Sequence, residues 1–281
     1  MAAIRAQLMD SERQAENLLR ILIFHPKRVL PQLCFIRASY AALNFNHEKG
    51  EHMTTTLVSP EMSQKHLTDG VIKQTITTMI DDLIAALPDP HELTPEERRG
   101  IIARYSTVLE GNFIYWMTAT LIAVKTEEAR PILLDNLHEE VRDAHPTMLR
   151  KFSIGAGAFP KDTDAMAVNN EVTDMRRFLG KLSAVQSLAA MAFFEGYIQR
   201  FMSYLAELAS AQGSTEMEYT DVHGVCDIAH TDGLFQALSI EMSVNPLEPG
   251  QDLFEGVTLL QSLMHRIVFH QEHVTSVPTL A

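Results

Sequence analysis

Apolar residues return every three to four positions along most of this chain, the spacing of helices packed on one face. Val, Ile and Thr rarely alternate with polar residues, and no Asn-Gly or Asp-Gly pair joins two strand-like runs. The period predicts helices near residues 3–24, 28–44, 70–87, 94–125, 127–151, 169–211, 217–241 and 250–270. The clearest punctuation is the stretch from Pro88 to Glu97. Two prolines break the chain there, and Thr94-Pro95-Glu96-Glu97 then opens a helix with a capping residue, Pro at the first position and acid at the positive end of the dipole. The expected architecture is therefore an all-α bundle: an amino-terminal helical extension over residues 1–90, then a bundle domain over 91–281.

Several polar residues interrupt the apolar stripes. His223, Asp227 and His230 stand at i, i+4 and i+7, so at about 100° per residue they fall within roughly 60° on one helical face. Leu234 and Leu238 continue that face, which turns the three polar groups inward. Two imidazoles and a carboxylate on a buried face are costly to desolvate unless something compensates, and a divalent metal does so. Two His and one carboxylate suit iron; the bland alternative is a hydrogen-bonded surface ladder. On the helix around 187–209, Glu195 sits in a stripe of Leu188, Met191, Ile198, Met202 and Leu205. Arg200 lies on another face, so no cation on the same helix neutralises it. A third segment, Leu133 to Pro146, is dense in His, Asp and Glu. In it His145 heads an inward stripe continued by Leu149 and Phe152.

Charge and cysteine content narrow the functional classes. There are 36 acidic against 23 basic residues, a formal net charge of −13, and no basic stripe of the kind a nucleic-acid ligand requires. Cys34 and Cys226 stand far apart, which excludes a disulfide framework and fits a reducing cytoplasm. The apolar run Leu18–Phe24 is broken by Arg20 and closed by His25-Pro26-Lys27-Arg28, unlike a signal peptide or a spanning helix. A soluble, cytoplasmic protein with no membrane or nucleic-acid partner is expected.

Taken in order, these segments resemble the haem-oxygenase-like di-iron oxidase and oxygenase superfamily. The resemblance rests on Asn136-Leu137-His138-Glu139-Glu140, then His145, then the lone Glu195, then His223, Asp227 and His230, and it covers about residues 98–265. It implies a haem-oxygenase-like bundle with six metal ligands, Glu140, His145, Glu195, His223, Asp227 and His230, holding two iron ions. Dioxygen would be the co-substrate, a small amine, amino acid or fatty acid the substrate, and an external electron donor a further partner; a homodimer is left open. Residues five apart point about 140° apart on a regular helix, so Glu140 and His145 converge only through a π-bulge or a break near Arg142-Asp143. His138 shares the His145 face and is the geometric rival, with Glu139 a third candidate. Glu110, on a stripe with Phe113 and Met117, is a candidate for a supporting or substrate-side role; Tyr105, Tyr115, Trp116 and Tyr197 are candidates for pocket lining, and Cys226 for a small buried filler. Two rival readings remain: a metal-free enzyme of the same fold, thiaminase-like or pyrroloquinoline-quinone-synthase-like, and a non-enzymatic helical interaction protein.

Overall fold

The computed structural model describes residues 68–270, and among these every regular element is a helix. In chain order they are α1 (Asp69–Ala85), α2 (Pro95–Ala123), α3 (Arg130–Arg142), α4 (His145–Gly155), α5 (Asp162–Ala167), α6 (Asn169–Leu179), α7 (Ala184–Ala211), α8 (Glu218–Val244) and α9 (Glu255–Phe269). The expected all-α bundle is present. The helices expected at 3–24 and 28–44 lie outside the described residues.

Helix α7 is the axis of the bundle. Its first half, Ala184 to Ile198, is buried without interruption, because α8, α2, α9 and α1 surround it. Small residues permit this crowding. A Cβ on Gly196 would meet Ile80 Cδ1 of α1 at 3.0 Å and Thr231 Cγ2 of α8 at 3.4 Å, so glycine lets both helices close on the axis. Helix α1 seats Ile72, Ile76 and Ile80 in the same core. It precedes the boundary expected at residue 90, yet it belongs to the same compact unit as the helices that follow. The turn from Pro88 to Thr94 therefore joins two packed helices instead of separating two units.

Two features fix the ends of α2, which packs beside the helices that carry the polar cluster. Thr94 and Glu97 form a reciprocal capping box at the start of α2: Glu97 N–H donates to Thr94 Oγ1 at 3.2 Å, and Thr94 N–H donates to Glu97 Oε2 at 2.7 Å. At the far end of α2, fully buried Glu241 of α8 accepts from Lys125 N at 3.2 Å, Thr126 N at 3.1 Å and Thr126 Oγ1 at 2.8 Å. Those bonds satisfy orphan donors at the α2–α3 connection and fix α3 against α8.

Three local differences from the periodic reading are informative. The helix expected at 127–151 is two, α3 and α4, because Ala144 adopts the left-handed conformation with φ of 56°. The helix expected at 169–211 is likewise two, α6 and α7, with Leu182 at φ 54° between them. The short α5 carries too few residues to show a period; Asp164 holds it to α2, accepting from Arg99 Nη2 at 3.0 Å and Nη1 at 3.2 Å.

Candidate metal centre

Four segments converge near the middle of α7. Helix α3 brings Asn136, Glu139 and Glu140; α4 begins at His145; α7 brings Glu195; α8 brings Tyr219, His223, Asp227 and His230. The break expected near Arg142-Asp143 occurs there. Helix α3 ends at Arg142, the chain turns through Ala144, and Glu140 Oε1 then accepts from His145 Nδ1–H at 2.8 Å. His223 Nε2 lies 3.9 Å from the same oxygen, and its ring meets that of His145 edge-on at 4.4 Å. The donor atoms of Glu140, His145 and His223 all lie within 4.8 Å of one another.

A second group adjoins the first. Glu195 is 1% exposed and Asp227 0% exposed, and among the described residues no Arg or Lys approaches either closely enough to pair. Arg200 instead pairs with Asp81. Asn136 Nδ2–H donates to Glu195 Oε1 at 2.8 Å, and His230 Nδ1 lies 3.9 Å from that oxygen and 3.5 Å from Asp227 Oδ1. Neither His230 Nδ1 nor Asp227 Oδ2 has a hydrogen-bond partner among the described residues, although both atoms are buried. Such a pair of orphans is costly inside a packed core.

Electrostatics follow from this crowding of acids. Burial raises the Glu195 pKa well above the usual carboxylate range, and the Asp227 charge adds to it while His230 opposes. For His230 burial works against the cation, but Asp227, Glu195 and Glu139 outweigh it and push the pKa up to about 10. His145 shifts upward in the same way: burial opposes the charge, and the hydrogen bond and charge of Glu140 prevail. Cations are what these groups lack. Protons supply them in the metal-free protein.

All six residues expected as donors therefore stand together in two adjoining groups, Glu140–His145–His223 and Glu195–Asp227–His230. His138 is exposed and points elsewhere. Glu110 lines the cleft beside the cluster with Leu109, Phe113 and Ile198 and is paired with Arg150 of α4. Of the aromatic candidates, Tyr105 and Tyr197 are core residues, Trp116 packs edge-on against Phe194 at 5.3 Å, and Tyr115 is exposed. Three participants were not singled out by periodicity. Asn136, one turn before Glu140 on the same face, bonds Glu195. Tyr219 offers its carbonyl to His223 Nδ1–H at 2.8 Å. Half-buried Cys226 places its Sγ beside Asp227 Oδ1 at 3.2 Å, and with Asp227 and His230 forms a second set of donor atoms within 4.8 Å.

A family described as iron-containing redox enzymes has a sequence model that matches residues 102–265, more than half of the chain and all of the cluster. The chain belongs to that family. No curated protein matches it. An iron-containing redox enzyme needs side chains that can hold its iron. The cluster can supply them: three carboxylates and three imidazoles suit iron, and buried Asp227 Oδ2 and His230 Nδ1 have no hydrogen-bond partner among the described residues. No described helix is long and apolar enough to cross a membrane.

Proposed function

We propose that the six residues Glu140, His145, Glu195, His223, Asp227 and His230 hold two iron ions, and that the protein uses them with dioxygen to oxidise a small organic substrate. The observation that carries this reading is the pair of buried, unpartnered atoms Asp227 Oδ2 and His230 Nδ1, beside the buried Glu195 carboxylate that no Arg or Lys neutralises among the described residues. Two divalent ions would offset the three carboxylate charges and satisfy both orphans. When bound, the iron supplies the redox and oxygen chemistry that no side chain can perform.

The chain's own residues have separate tasks. Tyr219 fixes His223 with Nε2 directed at Glu140. Asn136 orients Glu195 by donating to one of its oxygens. The walls supplied by Leu109, Phe113, Leu149 and Ile198 exclude water and offer an apolar surface to the substrate. Small amines, amino acids and fatty acids are the substrate classes this reading takes, with an external donor supplying any further electrons. A metal-free hydrolytic reading needs an activated nucleophile. The one described thiol, Cys226, is driven upward in pKa by burial and by Asp227, which disfavours the thiolate.

Anaerobic loading with Fe(II) followed by desalting and an iron assay is expected to give about two ions per chain. The loaded protein is expected to consume O2. An iron content near zero after loading would overturn the proposal.

A further inference from the structure

We infer that Glu139 is the residue that decides which ring nitrogen His230 presents to the centre, taking the Nε2–H and leaving Nδ1 as the donor atom; the inference rests on the metal-binding reading above. Glu139 Oε2 lies 2.9 Å from His230 Nε2, and because an ionised carboxylate only accepts, that nitrogen carries the hydrogen. In a neutral imidazole the lone pair is then on Nδ1, the atom that lies 3.5 Å from Asp227 Oδ1 and 3.9 Å from Glu195 Oε1 with no hydrogen-bond partner among the described residues.

His223 shows the opposite arrangement on the same helix. Its Nδ1–H goes to the Tyr219 carbonyl, and Nε2 faces Glu140. Two imidazoles seven residues apart thus present different nitrogens, each fixed by a partner that is not among the six donors. For His223 that partner is backbone on its own helix. For His230 it is a side chain brought by α3.

Burial separates Glu139 from its neighbour. The Glu140 side chain is 6% exposed and turned into the cluster, whereas that of Glu139 is 41% exposed. Adjacent helical residues diverge by about 100°, so one acid enters the centre and the next reaches His230 from the solvent side. A carboxylate on the distal N–H of a metal-bound imidazole fixes its orientation and strengthens it as a donor, and losing such a partner weakens metal affinity about 10–100-fold.

The test uses the full chain loaded with Zn(II) as a diamagnetic probe, with 15N-labelled histidine NMR and metal titration. Wild type is expected to show His230 with metal at Nδ1 and a proton at Nε2. Glu139→Gln keeps an accepting carbonyl and should retain that pattern with a small loss of affinity. Glu139→Ala should lose about 10–100-fold for one ion and leave the other unchanged. The inference is overturned if wild-type His230 binds through Nε2, or if Glu139→Ala binds both ions as tightly as wild type. Outright loss of an ion in both variants would also overturn it, since Glu139 would then be a ligand. The wild-type spectrum decides the tautomer whatever the stability of the variants. A wild type that takes up neither zinc nor iron would instead refute the proposed function before any variant is compared.

Discussion

His223 and His230 show how far a residue's chemistry depends on its surroundings. Both were legible in the sequence as inward-facing imidazoles, because the 3.6-residue period places them with Asp227 above Leu234 and Leu238, all of which are buried. Their different environments were not legible, since Glu139 lies 91 positions from His230 and the resemblance marks it no more strongly than its neighbours. The surroundings also set a pH dependence. The His230 pKa rises from an ordinary 6.5 to about 10, so the metal-free folded protein binds a proton there that the unfolded chain releases. That contribution to stability is complete below pH 6.5 and is lost as pH rises toward 10. Metal must displace the same proton. Calorimetric titration at about pH 7.5, between those two values, in buffers of different ionisation enthalpy is expected to show net proton release on Fe(II) or Zn(II) binding, with apparent affinity rising with pH. Binding without proton release would contradict the shifted state of His230.

At the scale of elements, the junction of α3 and α4 matters most. A regular helix would turn Glu140 away from His145. The left-handed Ala144 ends α3, restarts the chain as α4 and brings the two side chains to 2.8 Å. The sequence signalled this break only through the conflict between the resemblance and helical geometry, because Ala is a strong helix former and Gly is the usual residue at positive φ. Gly180 and Ser183 carried a plainer signal for the α6–α7 break that the apolar period around them obscured. Ala144→Gly is expected to raise stability by up to about 1 kcal/mol, with metal content unchanged, because glycine removes the cost of the left-handed backbone. Ala144→Val should lower stability and lose one ion, since a β-branched side chain resists this conformation and Glu140 would part from His145. Thermal unfolding and metal analysis of the two variants check both outcomes; a valine variant that keeps two ions would show that the junction does not assemble the first group.

In the molecule as a whole, the six candidate donors come from four helices that share one core, so metal held by them would be coupled to folding. Under the proposed function iron is expected to raise the unfolding temperature of wild type under anaerobic conditions, because only the folded state presents the six together. His230→Ala should respond much less. Gly256→Ala offers a contrast: its new Cβ would meet the Phe178 ring at 2.4 Å and Ala190 Cβ at 2.8 Å, contacts that involve none of the six donors. It should cost about 1–3 kcal/mol yet keep the full iron-induced shift. Equal shifts in wild type and His230→Ala would remove this face of α8 from the site. By itself the sequence determined the helical class and which faces turn inward, because backbone periodicity is written locally in every turn. The six candidate donors came from the resemblance, and helical geometry alone left Glu140, Glu139 and His138 open. Tertiary structure decided that Glu140 and His145 meet across a break, that the donors divide into two groups, that α1 belongs to the bundle, and that Glu139 serves His230 from outside. Each of those depends on partners far along the chain, and only packing determines which distant side chain fills the space beside a given atom.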